Sequence, residues 1–408
     1  MKIPFAPPYI DQNVIDEVLD TLNSGWITSG PKVKELENEI CKLTGCAASV
    51  CVNSWTSGAI LMLKWFGVKE GDEVIIPAYT YSATALSVLH CGATPVMVDI
   101  EDDFTIDPVK VKAAITNKTK IIMPVDIAGW PCNYEALISI IEDNDIKKMF
   151  VASSEKQEKL GRILLISDAA HSIGAKYHNK SAASICDITI LSFHAVKNVT
   201  TAEGGCVCIN LPVQFNALDE YQYLKLYTLN GQSKDAFTKS KLGGWKYDIL
   251  FQGLKINMPD LNAAIGLAQI RIYDNKLLVS RKEMALKYCA AFEKYSWFIK
   301  PPLQDSTRES SYHLFPLRID SISESQRDHI IDEITKKDIA VNVHFIPMPM
   351  MSLFKSLGFK MEDYPNSYKQ YACEISLPIY PQLTAEQIRY IVNAVIEAVE
   401  NQFALSNK

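Results

Sequence analysis

Between residues 48 and 209, short apolar runs alternate with helix-length amphipathic segments, and that alternation leaves few folds open. Ala48–Val52, Glu73–Ile76, Pro95–Asp99 and Lys120–Val125 read as strands; Ala59–Phe66, Ser82–His90, Pro108–Ile115 and Tyr134–Glu142 read as helices between or after them. Strands this short, joined by helices, indicate βαβ crossovers and a largely parallel sheet buried on both faces. Ile163–Ile166 is a wholly apolar strand that ends at Ser167-Asp168, and Asp187–Phe193 and Gly205–Ile209 extend the series. Ahead of the aspartate strand, residues 147–162 are polar and contain SSEKQEKLGR. This stretch predicts a surface insertion in the form of a mobile loop.

Beyond this region the pattern changes. Pro259 to Tyr295 carries helical periodicity with no Gly or Pro after Gly266, which predicts a long helix bridging two units. The last third reads as strand (HLFPLRI), helix (Gln326–Lys336), strand (Val341–Phe345) and amphipathic helix (Thr384–Val399). The expected division is a large domain over 1–270, with segment 1–31 lining the site, and a linking helix plus a small α+β domain over 271–408.

Charge excludes some functions. Forty-one basic against 47 acidic residues give a net charge of −6, so no positive field favours nucleic acid or an anionic membrane surface. No apolar run approaches the roughly 20 residues of a membrane helix, and the opening MKIPFAPPYIDQ lacks the apolar core of a signal peptide. The ten cysteines are scattered without a C-x-x-C pair, which predicts reduced, core-packed thiols in a cytoplasmic protein. The sequence contains no G-x-G-x-x-G after a strand, no P-loop and no H-E-x-x-H, and its seven histidines are dispersed. Nicotinamide, nucleoside-triphosphate and metal chemistry therefore lose their usual signatures, and no metal site is expected.

What remains is a spaced set. Asp168 ends a buried strand, and Lys197 follows in LSFHAVKNVTTAEGG. Upstream lie the hydroxyl-rich turn Ser54–Gly58 before a helix and the aromatic pair Tyr79 and Tyr81 after a strand. Open α/β sheets bind ligands at the carboxyl ends of their strands, where all four pieces fall. Each piece has a plainer reading on its own: a solvated lysine, an aspartate capping the next helix, a tyrosine in the core. Together they match what pyridoxal phosphate requires. That cofactor needs a lysine for a Schiff base, a carboxylate at the pyridine nitrogen, a helix N-terminus for its phosphate and an aromatic face for its ring.

The motifs GWITSGP (25–31), GDEVIIPAYTYSATA (71–85), GATPVMVDI (92–100), DAAHSIGA (168–175), SFHAVKNVTTAEGG (192–205) and INMPDLNAAIGLAQ (256–269), with SYHLFPLRI, VHF and SLPIYPQLTAEQ near the end, cover nearly the whole chain. In these the sequence resembles the DegT/DnrJ/EryC1/StrS family of pyridoxal-phosphate-dependent nucleotide-sugar aminotransferases. The resemblance implies fold type I, the aspartate-aminotransferase-like α/β architecture: a mixed, mostly parallel seven-stranded sheet in the large domain and a smaller α+β C-terminal domain. It implies that Lys197 is the catalytic lysine and that Asp168 pairs with the ring nitrogen. It further assigns His171 to the ring's phenolic oxygen, Tyr81 to the ring face, and Thr56, Ser57 and Ser192 to the phosphate. Asn257 would reach the phosphate from a neighbouring subunit, which implies a homodimer; its plainer reading is a cap ahead of Pro259. Trp26, Thr28, Ser29 and His344 are candidates for contacting the substrate, with Trp26 alternatively an interface anchor.

Dehydratase relatives carry histidine where this chain has Lys197, so transamination is expected. Glutamate would give its amine and leave as 2-oxoglutarate, and a keto group on a nucleotide sugar would receive it. The spelling of the lysine segment resembles members that aminate C4 of 4-keto-6-deoxyhexoses. The expected substrate is a UDP-linked 4-keto-6-deoxy-N-acetylhexosamine destined for a surface polysaccharide. Alternatives are amination at C3, an aminocyclitol substrate, or a non-catalytic regulatory relative.

Overall fold

The computed structural model describes residues 1–234 and 245–406. Seven strands form the main sheet: β1 (Ala48–Val52), β2 (Glu73–Pro77), β3 (Thr94–Val98), β4 (Thr119–Ile122), β5 (Leu164–Asp168), β6 (Ile188–Ser192) and β7 (Gly205–Ile209). Their order is β1-β7-β6-β5-β4-β2-β3. The run β6-β5-β4-β2-β3 is parallel, while β7 pairs antiparallel with both β6 and β1. This is the mixed, mostly parallel sheet expected of fold type I. The two-residue alternation of strands explains why these runs are apolar throughout. On β5, Leu164 and Ile166 face one core with Val74 and Ile76, while Leu165 faces another with Ile75 and Ile122.

Helices α1 (Gln12–Asn23) and α2 (Pro31–Thr44) precede the sheet, α3 (Trp55–Trp65) follows β1, and α4 (Ala83–His90) follows β2. The polar stretch 147–162 is not a loose loop. It contributes to α5 (Asn144–Met149) and forms α6 (Glu155–Leu160), whose N-cap Ser154 accepts from the Gln157 amide. The Phe66 carbonyl accepts from Ser154 Oγ at 2.8 Å and from Gln157 Nε2 at 2.9 Å. Lys156 pairs with Glu220 and lies 5.3 Å over the Trp65 ring. A carbonyl left open at the end of α3 thus recruits the insertion, which composition alone does not reveal.

The long helix expected over 259–295 is two helices, α7 (Asp260–Ile270) and α8 (Leu278–Phe292), joined through a wide turn at Tyr273–Leu277. Tyr273 forces the interruption: it is fully buried, and its hydroxyl donates to the Ile173 carbonyl at 2.7 Å. The C-terminal sheet is antiparallel, ordered β8 (Phe298–Ile299), β9 (Phe315–Ile319), β10 (Glu374–Leu377). Helices α9 (Glu324–Thr335) and α10 (Ala385–Ser406) complete this unit, the latter burying Ile388, Ile391, Val395 and Val399 at helical spacing. Val341–Phe345, expected to be a strand, makes only a bridge from Asn342 to Ser376. The N-terminus begins in this smaller core: Ile3 is buried there and bridges Ile339, before the chain crosses to α1.

Candidate active site

A cavity of about 450 Å³ opens at the carboxyl ends of β5 and β6 and is closed from above by the C-terminal unit. Asp168, Lys197, His171, Tyr81, Thr56, Ser192 and His344 all line it, joined by Ser54, Thr84, His313, Phe5 and Phe345. The strand-end placement follows from the topology. Side chains at the last residue of a parallel strand, or in the turn that follows, point past the sheet edge.

Asp168 is the last residue of β5 and is 4 % exposed. Its Oδ2 accepts from Thr84 Oγ1 at 2.8 Å and its Oδ1 from the Ala170 amide at 3.2 Å. Burial disfavours the carboxylate and pushes its pKa up to about 7, against the pull of those two donors and of Lys197. Lys197 sits in the turn between β6 and β7. That turn is pinned by hydrogen bonds from the Thr200 amide to Gln269 Oε1 and from Asn262 Nδ2 to the Thr201 carbonyl. Burial brings its ammonium down to about 8, with Asp168 opposing. Its Nζ makes no hydrogen bond or ion pair among the described residues, Asp168 included.

At the β1–α3 turn, Ser54 caps α3 by accepting from the Ser57 amide at 3.1 Å. The Trp55 indole donates to the Ile190 carbonyl at 3.1 Å and ties the helix start to β6. Gly205 lets the two approach: a Cβ there would stand 2.8 Å from the Ser54 carbonyl carbon and the Trp55 nitrogen. The open amides of this helix start, with Thr56 and Ser192, form an anion cradle beside the amine. Ser57 lies one position inside the helix, its Oγ 2.9 Å from Ser54 Oγ.

Two of the cavity's histidines, His171 and His313, are in ring contact, their centroids 4.3 Å apart and their planes tilted by 40°. His171 Nδ1 accepts from the Ala128 amide at 3.2 Å, which puts its proton on Nε2. His313 Nδ1 is 2.9 Å from Asn198 Oδ1, while Asn198 Nδ2 donates to Tyr273 Oη and to the Ser311 carbonyl, so His313 holds its proton on Nδ1. Burial and Lys197 hold His171 well below the usual imidazole range, so both rings are neutral. Tyr81 is 62 % exposed, with its ring 5.9 Å from that of Phe345, whereas Tyr79 is buried in the core and donates to the His344 carbonyl at 2.6 Å.

Five of the expected residues fall outside the cavity lining. Ser57 is one, its hydroxyl turned to Ser54; Trp26, Thr28, Ser29 and Asn257 gather where α2 and α7 begin. Ser29 Oγ donates to the Met258 carbonyl and accepts from Asn257 Nδ2 at 2.6 Å, and Trp26 Nε1 donates to the Ser29 carbonyl at 3.2 Å. Asp260 holds this turn by accepting from the amides of Gly30, Lys32 and Val33. Sequence reasoning missed Thr84 and His313. Thr84 lies within PAYTYSATA and His313 within SYHLF, so both were in quoted motifs, but nothing in their spacing separates them from core residues.

The donor set fits pyridoxal phosphate. A half-buried lysine amine without a hydrogen-bond partner, a strand-end carboxyl and an anion cradle at the start of α3 face one cavity, and Tyr81 and His171 flank it. Among the described residues no group of three or more His, Cys, Asp or Glu side chains is arranged to hold a metal ion, and no helix is long and apolar enough to cross a membrane.

The pattern of the DegT/DnrJ/EryC1/StrS aminotransferase family matches residues 8–396. The spore coat polysaccharide biosynthesis protein SpsC of Bacillus subtilis is 34% identical over 405 residues, 98% of this chain and 97% of that protein. The putative sugar aminotransferase Spr1654 from Streptococcus pneumoniae, solved in PMP, apo and PLP forms, superimposes in its PMP form with a TM-score of 0.95 at 41% identity, covering 100% of both chains. Helicobacter pylori PseC, an aminotransferase involved in the biosynthesis of pseudoaminic acid, follows at 0.85 and 26%, covering 98% of this chain and 100% of that one.

Proposed function

The chain belongs to the DegT/DnrJ/EryC1/StrS aminotransferase family, and from that premise we propose that it moves an amino group from glutamate to C4 of a UDP-linked 4-keto-6-deoxy-N-acetylhexosamine for a surface polysaccharide. It is a pyridoxal-phosphate-dependent sugar aminotransferase. The observation that carries the catalytic part is the pair formed by the unpartnered amine of Lys197 and the strand-end carboxyl of Asp168 in one cavity. The sugar part is supported by the 41% identity to Spr1654 and the full-length likeness to PseC.

Lys197 would hold the cofactor and Asp168 its ring nitrogen. Thr56, Ser57, Ser192 and the amides that open α3 would hold its phosphate, with Tyr81 and His171 against the ring. Bound there, pyridoxal phosphate supplies an electron sink that makes a proton on the amine-bearing carbon acidic. The chain's residues do the rest. Lys197, with its pKa near 8, is neutral often enough at physiological pH to take a proton and charged often enough to return one. Asp168 compensates a positive charge at the ring nitrogen, and its bonds from Thr84 and the Ala170 amide hold the carboxyl in place. His171 offers Nε2–H as a donor. Phe5, His344 and Phe345 cover the cavity from the C-terminal side and exclude water.

Asn257 and the Trp26–Ser29 turn serve a neighbouring copy's cavity in this reading. Ile15, Leu19, Leu22 and Ile27, all exposed in the single chain, supply apolar surface for a homodimer. The protein would work in the cytoplasm, where nucleotide sugars are made.

The test is glutamate-dependent turnover with a panel of UDP-, dTDP- and GDP-linked 4-keto-6-deoxy sugars, read by mass spectrometry. A UDP-linked 4-amino product is expected; reaction of 3-keto sugars alone would remove the C4 assignment. Lys197→Ala should abolish both the near-visible absorbance of the holoenzyme and turnover. An unchanged band in that variant would remove the mechanism.

A further inference from the structure

Another of the cavity's histidines, His344, is backed by a file of buried groups that the mechanism above does not use. His344 Nδ1 lies 2.9 Å from Ser376 Oγ, and Ser376 Oγ lies 2.5 Å from Glu374 Oε1. Glu374 Oε2 accepts the His344 backbone amide at 3.0 Å. Glu374 and Ser376 are two residues apart on β10 and therefore face the same side. Both are fully buried, and the bridge from Ser376 to Asn342 holds the strand against the His344 segment. His344 Nε2 is the ring nitrogen left for the cavity.

This file has two arrangements. With Glu374 ionised, Ser376 donates to it, and His344 must donate from Nδ1 to Ser376 Oγ, so Nε2 offers a lone pair. With Glu374 protonated, the carboxyl donates to Ser376, Ser376 donates to Nδ1, and the imidazole proton sits on Nε2. Passing from the second state to the first releases one proton to solvent, and the imidazole proton moves from Nε2 to Nδ1. The ring is neutral in both.

We propose that Glu374 and Ser376 are positioning residues that set, from behind, whether His344 offers the sugar substrate an N–H or a lone pair. The proposal rests on the sugar aminotransferase reading for the identity of the substrate, and on the hydrogen-bond file alone for the relay. No ion pair to Glu374 forms among the described residues. Of the two nearby arginines, Arg327 is spent on Asp328 and on the Tyr371 and Glu374 carbonyls, and Arg318 on the Asp102 carbonyl and Gln370. Tyr79, Cys373 and His344 are the other titratable groups that face it. Burial pushes its carboxyl up to about 8, against the pull of Ser376, the His344 amide and the arginines. Burial and Lys197 bring His344 down to about 3. At neutral pH, then, His344 presents Nε2–H, a donor suited to a carbonyl or hydroxyl oxygen of the sugar.

The test follows the holoenzyme's two half-reactions separately by absorbance, with glutamate in one and UDP-4-keto-6-deoxy-N-acetylhexosamine or its dTDP counterpart in the other. The sugar half-reaction should lose about tenfold in kcat/KM between pH 7 and 9, beyond any change in the glutamate half-reaction, which shares Lys197 and Asp168. Glu374→Gln, which stays neutral, should flatten that fall. Ser376→Ala should lower the sugar half-reaction roughly tenfold at pH 7 and abolish its step, and Ser376→Thr should restore both. An unchanged rate and step in Ser376→Ala would overturn the proposal. ¹⁵N shifts of the His344 ring nitrogens in the holoenzyme, which require no sugar, should show Nε2–H at pH 7 and Nδ1–H by pH 9.5. One tautomer throughout would overturn the relay, whereas a moving tautomer with no turnover of either sugar would overturn the substrate reading instead.

Discussion

Burial sets the titration of Asp168 and Lys197 from opposite directions, and each shift has a consequence in the protein before it is loaded. Asp168 carries a pKa of about 7 in the fold against 3.8 for an ordinary aspartate. From about pH 4 to 7 the folded chain therefore keeps a proton that the unfolded chain has lost, so this group's contribution to stability falls as pH rises through that window and is flat above it. The cofactor-free Asp168→Asn protein should match wild type near pH 4 and exceed it at pH 8, by on the order of 2–4 kcal/mol. Urea unfolding at the two pH values measures this, and equal stability at pH 8 would show that the carboxylate bears no burial penalty. The same variant should lose about a hundredfold or more in turnover, because a charge-compensating group is gone. Lys197 runs the other way. Only the neutral amine can join an aldehyde, so the association rate of pyridoxal phosphate should rise about tenfold per pH unit below the lysine's pKa and level off near pH 8. A rate that climbed to pH 10 would place the amine in an ordinary aqueous setting.

The elements that carry these residues depend on close backbone approaches, and β7 against the start of α3 is one of them. Ser54→Ala removes the cap and should cost about 1 kcal/mol of stability. Gly205→Ala should cost more and should also weaken cofactor binding. Its Cβ meets backbone atoms at 2.8 Å, and these cannot rotate away, so the helix start that would hold the phosphate must move. Fluorescence titration with pyridoxal phosphate measures the loss; unaltered affinity would mean that the α3 amides do not hold it. How far the elements can be read from sequence follows the same logic. The strands of the main sheet and the residues at their ends are legible because burial on both faces makes each strand uniformly apolar, and Asp168 and Lys197 follow from the ends. Val341–Phe345 has the composition of a strand but finds no neighbour to pair along its length, while Glu374–Leu377, cut short by Pro378, does pair. Pairing partners are a tertiary property. The break after Ile270 carries no glycine or proline, and the docking of 147–162 depends on the Phe66 carbonyl, 91 residues before Gln157 in the chain. His313 was invisible for a related reason: a neutral, buried histidine differs from core only by what its Nδ1 touches.

At the scale of the molecule, the cavity has its base in one core and its cover in another, and the first residues of the chain join the two. Ile3 donates its amide to the Asp338 carbonyl at 2.8 Å and accepts from the Ala340 amide at 2.9 Å, with its side chain in the C-terminal core. Phe5 then stacks 5.5 Å from the His344 ring, and both Phe5 and Ala6 line the cavity. The Tyr9 carbonyl accepts from Gln269 Nε2 at 2.9 Å, and Glu17 on α1 pairs with Arg271, so the chain is fastened to the C-terminal end of α7 within one further helix. The five residues 4–8 thus span the mouth between two fixed ends. Ile3→Ala leaves a void in the smaller core and should destabilise it by roughly 2–5 kcal/mol. Because Phe5 follows two residues later, the loosened strap should also raise KM for the keto sugar several-fold while leaving the holoenzyme's absorbance intact, since none of the residues assigned to the cofactor belongs to the strap. Calorimetry should show the transition of the C-terminal unit moving to lower temperature. A variant with lowered stability and unchanged KM would make the strap a purely structural tie, with Phe5 held in place by its packing on His344 and on the core around Tyr79.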